Sequence, residues 1–338
     1  MQILFHVALS VLTVLAAVAP AVLYSLLVWW LDRFEKEPWG LLAATFIWGA
    51  IPAIVVSLVA EFALGIPFAG FFGDAALELI QGSVIAPVVE EAAKGLVILA
   101  VFLVFRREFD GVLDGIVYGA LVGFGFAMTE NGLYFLGALA EGGTAAWLSI
   151  VLVRTTVFGL NHGLFSGIVG MGFGYASIVD SAWKRWLAPV ACLGAAIVVH
   201  AVHNLSASMA TVMCWPILIS LVNDWGGIMI LLAMVLLSWD RERGWITQEL
   251  GEEVRAATLS QCDYDSAVSY QRRVAAQWRA LTSGGLAEAR RVRRFHQLAT
   301  ELAFAKRRLR ASPGDEKGES IVSCLREEIQ ALESEVPR

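Results

Sequence analysis

The chain has 338 residues, 57% hydrophobic and only 17% charged, with a formal net charge of −6. Soluble domains carry about 25% charged residues, so this composition excludes an ordinary soluble enzyme and points to apolar segments that cross a bilayer. The cations are unevenly spread: 17 of the 25 Lys and Arg follow Trp239, which divides the chain into an apolar domain, 1–239, and a polar tail, 240–338. Cys192, Cys214, Cys262 and Cys324 show no C-x-x-C spacing, which argues against a disulfide framework or a thiolate metal site.

The predicted fold is all-α, a polytopic transmembrane bundle of about seven spans. A crossing needs about 20 apolar residues, and seven stretches qualify: 3–31, 40–64, 83–105, 112–140, 147–179, 187–213 and 220–239. No charge precedes the first, and it runs on to Leu31, which reads as a span and not as a removable leader. The last is interrupted by Asn223, Asp224, Gly226 and Gly227. Cations follow the odd spans only: Arg33 and Lys36, Arg106 and Arg107, Lys184 and Arg185, then the tail. By the positive-inside rule the N-terminus lies outside and the tail in the cytoplasm.

The tail reads as helical. Phe295, Leu298, Leu302, Ala305 and Leu309 recur at steps of three and four, as do Val322, Leu325, Ile329, Leu332 and Val336, with a turn signal at Ser312-Pro313-Gly314-Asp315 between them. Two amphipathic helices around a turn predict an antiparallel hairpin, suited to self-association or to a cytoplasmic partner. The basic run at 290–294 reads as a solvated helix face.

Ionisable residues inside a bilayer are costly and mark function. The third span carries Glu90, Glu91 and Lys94. Glu90 and Lys94 are four apart and pair on one face, while Glu91 points about 100° away. One carboxylate is then held structurally and the other is left as a general base. The fourth span carries Glu130, the fifth His162 with Ser166 one turn on, and the sixth His200, His203 and Asn204. At a rise of ~1.5 Å per residue, Glu90 lies ~10 Å below the outer end of its span, Glu130 ~15 Å, and His162 and His200 ~20 Å. Those depths suit one shared site in the outer-to-middle membrane. Two carboxylates and two imidazoles can activate water or bind a divalent metal, and Asn204 can donate to an oxyanion. The absence of G-x-S-x-G and H-E-x-x-H from the sequence disfavours the serine and zincin routes. Arg154 is read as neutralising Glu130, Asp114 and Asn131 as structural, Glu61 as near an interface, and His6 as incidental. His203 faces away from His200 and reads as packing.

Glu90-Glu91-x-x-Lys94, Phe126-x-x-x-Glu130-Asn131, His162 and His200-x-x-x-Asn204 resemble, in order, the motif series of PrsW-type intramembrane proteases. The run from Asp32 to Pro38, Asp114-Gly115-Ile116 and Tyr118-Gly119 fit the same pattern, and the resemblance covers about residues 20–240. It implies kinship with CAAX prenyl endopeptidases, which carry a histidine where this chain has Glu130, and with the Aph-1 subunit of gamma-secretase. It implies an endopeptidase of the bacterial inner membrane that cuts a membrane-anchored regulatory protein such as an anti-sigma factor on the outer side. By that analogy Glu90 and Glu91 are the catalytic pair, with Glu90 as base. Glu130 and His162 position water or a metal, and His200 and Asn204 stabilise the oxyanion. A metal, if used, is one zinc-like divalent ion held by Glu130, His162 and His200; a metal-free glutamate route is the alternative. No nucleic-acid partner is implied. An inert Aph-1-like scaffold and an ion transporter are the rival functions.

Overall fold

The computed structural model describes residues 2–34, 36–68, 70–311 and 314–334. Among them there is no strand: the chain is a succession of helices. This is what a bilayer demands, because a helix satisfies its own backbone polar groups. Two compact units result, Met1–Asp32 with Glu37–Val235, and Arg33–Lys36 with Leu236–Arg338.

The first unit opens with α1 (Gln2–Leu31), then α2 (Trp39–Trp48) and α3 (Ile54–Gly65), which a π-helical turn at Gly49–Ala53 containing Pro52 joins into one rod. A short α4 (Asp74–Ile80) and a second π turn, Gln81–Ile85, lead into α5 (Ala86–Val104). Next come α6 (Val112–Leu152), α7 (Asn161–Ile178) and α8 (Ala182–Met209). α9 (Pro216–Arg255) starts in this unit. It is helical throughout, so the interruption expected at Asn223, Asp224, Gly226 and Gly227 is absent. Asp224 finds polar partners within the unit, and the helix has no need to break.

Among the described residues, five helical stretches are long and apolar enough to cross a membrane: Val7–Leu31, Trp39–Phe68, Val112–Ile178, Ala182–Ala210 and Pro216–Arg255. The third is a hairpin. Gly143 takes a left-handed conformation (φ 67°) that favours glycine, and beyond it the chain runs back beside α6. α5 is the further apolar helix, set apart from the five by Glu90, Glu91 and Lys94.

α6 is the hub. From Gly115 to Ala127 every residue is buried, whereas α1, α3, α8 and α9 expose rows of Val, Leu and Ile, as lipid-facing surfaces do. α7 lies antiparallel to α6 at very close range. A Cβ on Gly123 would fall 2.0 Å from the His162 carbonyl oxygen, and one on Gly119 2.2 Å from that of Ser166. Small residues permit such backbone approach in membranes, and this one sets the depth of His162.

The second unit holds the end of α9, then α10 (Gln261–Ala267), α11 (Tyr270–Ala311) and α12 (Glu316–Ser334). Leu298, Leu302, Ala305, Val322, Leu325 and Ile329 are buried in its core, with Phe295, Leu309 and Leu332 packed against them. The predicted apolar stripes therefore face each other. Ser312, Pro313 and Val336 lie outside the described residues. Phe34, from the loop after α1, is buried in the same core, and its carbonyl accepts from Arg273 at 3.3 Å.

Candidate active site

α5 brings Glu90, Glu91 and Lys94 into the unit's interior, all buried and the last two fully so. Charges are tolerated there only when paired. Lys94 Nζ donates to Glu91 Oε1 at 2.6 Å and to Glu90 Oε2 at 3.3 Å, and lies 4.1 Å from the centre of the Phe126 ring. The Glu90–Lys94 pair expected from their spacing is present, and the structure adds a second, shorter bond to Glu91, since a four-carbon stem reaches residues three and four back.

The fifth and sixth spans supply the imidazoles. His162 sits in the first turn of α7, buried, with Nδ1 3.3 Å from Lys94 Nζ and Nε2 2.8 Å from Glu130 Oε2. Glu130 comes from α6. Arg154 neutralises it as the sequence suggested and also donates from Nε to Asn131 Oδ1 at 2.6 Å. His200 is 2% exposed, stacked on the Phe165 ring at 4.4 Å. Its Nδ1 lies 3.0 Å from Glu91 Oε1 and its Nε2 4.0 Å from Glu90 Oε2. The Ser166 hydroxyl donates to Glu91 Oε2 at 3.2 Å.

The pattern has a direction. Each histidine gives one ring nitrogen to a carboxylate, His162 to Glu130 and His200 to Glu91. Each carboxylate is anchored by a cation, Arg154 and Lys94 respectively. Such outer carboxylates fix the tautomer and ring plane of metal-binding histidines. One donor atom each from Glu90, His162 and His200 then lie within 4.8 Å of one another. Two imidazoles and a carboxylate are an ordinary zinc donor set. Three carboxylates against Lys94 and Arg154 leave a formal charge of −1 when the histidines are neutral, which favours a further cation. Lys94 crowds this centre, but its 2.6 Å bond to Glu91 gives its ammonium a partner outside the donor set. The residues fit a divalent metal.

Of the sequence candidates, Glu90, Glu91, Glu130, His162 and His200 are brought together. Asn204 is not joined to the carboxylates: its amide donates to the Gly82 carbonyl at 2.8 Å, tying α8 to the π turn ahead of α5. Glu130, read as a metal ligand, lies on the opposite edge of His162 from Lys94. Beside His162 a cavity of about 20 Å³ is lined by Asn131, Arg154, Phe158 and Asn161 among others, space for roughly one water. Asp114 is structural, accepting from the backbone of Asp110 and Gly111 at 2.6 and 2.7 Å. The side chain of His6 lies outside the described residues. Sequence reasoning missed a second polar cluster of Asn161, His203, Ser220 and Asp224, although an aspartate inside an apolar span was its signal.

Comparison with known proteins returns a match over residues 37–239 to the family described as PrsW family intramembrane metalloprotease. Among curated relatives, Protease PrsW of Geobacillus kaustophilus is 33% identical over 51% of this chain and 70% of its own length. Protease PrsW of Halalkalibacterium halodurans is 26% identical over 56% of this chain and 80% of its own. That of Shouchella clausii is 30% identical over 52% and 74%. No solved structure matches.

Proposed function

We propose, because this chain belongs to the PrsW family of intramembrane metalloproteases, that its metal is a single zinc ion held by Glu90, His162 and His200. As a member of that family the chain is an intramembrane protease, a peptide-bond hydrolase, and the scaffold and transporter alternatives fall away. The observation that carries the metal assignment is the grouping of three buried donors within 4.8 Å, each histidine backed by its own carboxylate.

When bound, the metal supplies Lewis acidity that activates water and polarises the scissile carbonyl at neutral pH. The protein's groups do the rest. Glu91, held by Lys94 and Ser166, keeps the His200 ring in place; Glu130, held by Arg154, does the same for His162. Glu90 is the carboxylate with the longest contacts, 3.3 Å to Lys94 and 4.0 Å to His200, both through Oε2; with one oxygen in the donor set, its other oxygen is left to carry a proton. It accepts a proton from the attacking water as oxygen bonds to the carbonyl carbon. It returns that proton to the nitrogen as the C–N bond breaks, giving a carboxylate and an amine. Asn204 acts by holding the turn before α5.

The substrate we propose is a membrane-anchored regulatory protein, of the anti-sigma-factor kind, cut in the outer-to-middle membrane. The alternation of cations between spans supports a bacterial inner-membrane protein with its N-terminus outside and its tail in the cytoplasm. The test is co-expression with candidate single-span proteins. Wild type should yield a fragment that Glu90→Gln does not, with the variant inserted to the same level. Fragment formation by Glu90→Gln at the wild-type rate would overturn the assignment of Glu90.

A further inference from the structure

Behind the proposed metal-binding residues lies a polar cluster that the mechanism above does not use. Asp224, on α9, and Ser220, one turn earlier, are both completely buried. Asp224 Oδ2 accepts from Asn161 Nδ2 at 3.0 Å and from His203 Nδ1 at 2.7 Å. Its Oδ1 accepts at 2.8 Å from Asn223 Nδ2, which also reaches the Val199 carbonyl at 2.9 Å. The His203 ring meets Phe158 edge-on at 5.0 Å. An aspartate inside a span is costly unless it is used.

Ser220, His203 and Asp224 have the composition of a nucleophilic triad but not its wiring. In a working triad the carboxylate and the hydroxyl meet opposite ring nitrogens. Here both meet Nδ1, each at 2.7 Å, so the serine is not activated. The wiring instead joins helices. Asn161 is the residue before His162, and His203 stands about one turn beyond His200, at 3.6 residues per turn. One carboxylate therefore holds the neighbours of both histidines.

We propose that Asp224 is a positioning residue of the protease. By clamping Asn161 and His203 it sets the separation of α7 and α8, and with it the distance between the two imidazoles, whose ring centres are 5.5 Å apart. This rests on His162 and His200 being the working histidines. It also accounts for α9, which contributes no residue to the metal-binding trio yet carries an aspartate in its apolar stretch.

The test uses full-length protein in proteoliposomes and a single-span substrate that wild type cleaves. Asp224→Ala should lower kcat ~10–100-fold, as a small displacement of catalytic groups does, and weaken zinc binding, read by chelator competition, by a similar factor. KM should stay near wild type, while the melting temperature of Asp224→Ala should fall, because buried donors lose their acceptor. Asp224→Asn keeps an acceptor for Asn161 and His203 and should recover most of the kcat, a rescue that a lost charge alone would not allow. Wild-type kcat in folded Asp224→Ala would overturn the proposal, as would an equal loss in both variants. Should Asp224→Ala not fold, Asn161→Ala decides, since it removes one arm of the clamp and leaves Asp224 in place: a reduced kcat at unchanged KM supports the clamp, and wild-type kcat refutes it. If wild type cleaves without zinc, the metal reading fails separately and the kcat comparison alone judges Asp224.

Discussion

Replacing Gly123 with alanine tests how the scaffold sets the site. The added Cβ would lie 2.0 Å from the His162 carbonyl oxygen and 2.5 Å from its carbonyl carbon, where ordinary contacts begin near 3.4 Å. Both obstacles are backbone, so no rotamer relieves them, and α7 must withdraw from α6 by more than 1 Å. His162 then moves relative to Glu90 on α5 and Glu130 on α6. A displacement of ~1 Å in a catalytic constellation costs ~100-fold in rate. Stability should change less, because overpacking costs ~1–3 kcal/mol while Gly→Ala in a helix returns up to ~1 kcal/mol. Initial rates of substrate cleavage in proteoliposomes, with a thermal melt, separate the two effects. Gly137→Ala is the control, since nothing lies within 4 Å of a Cβ there, and it should behave as wild type. A Gly123→Ala protein with wild-type kcat would refute the idea that the α6–α7 approach positions His162.

Lys94→Met removes the cation shared by Glu90 and Glu91, and breaking a buried pair costs ~3–5 kcal/mol; a thermal melt of the purified protein should show the loss, and an unchanged melt would contradict it. Arg154→Ala should lower cleavage ~10–100-fold by releasing the carboxylate behind His162, with wild-type rates counting against that role. In the tail unit, Leu298 is fully buried, so Leu298→Ala should cost ~2–5 kcal/mol, measured by denaturation followed through Trp245 and Trp278 fluorescence. Burial, and then the nearby Arg273, push the His296 imidazole of that unit down to about 4 from 6.5. The unfolded chain therefore binds more protons between these values. The contribution is complete above pH 6.5 and is lost as pH falls toward 4, about 3 kcal/mol at 1.36 kcal/mol per unit. His296→Gln should flatten this part of the tail unit's stability profile, and an unaltered slope would contradict the account.

Much of the site was legible because charge in an apolar span is conspicuous. Glu130 and Arg154 could be matched from sequence as opposite charges on consecutive spans, and the convergence of Glu90, Glu91, His162 and His200 followed from depth. What escaped was set by geometry that spacing does not encode. Lys94 can reach Glu90 and Glu91, and only the packed helix shows that it bonds both, Glu91 more closely. Asn204 was read as an oxyanion donor, yet its partner is the Gly82 carbonyl, freed by a π-helical turn that has no sequence signature. Asp224 looked like a defect in a span because its partners, Asn161 and His203, come from two other helices. Phe34 gave no sign of joining the tail core, since a contact with Arg273 more than two hundred residues away leaves no local pattern. The tail hairpin was read well for the opposite reason: its two apolar stripes are periodic and close in sequence.

Glu90, His162 and His200 are the proposed metal centre of this protease. The most direct measurement is zinc content per chain of purified wild type and of His200→Ala, with cleavage of one single-span substrate followed in the same samples. About one zinc per wild-type chain is expected, by the open catalytic-site pattern, with loss of both metal and cleavage in folded His200→Ala. Cleavage by wild type stripped of metal, at the rate of the untreated enzyme, would contradict this assignment.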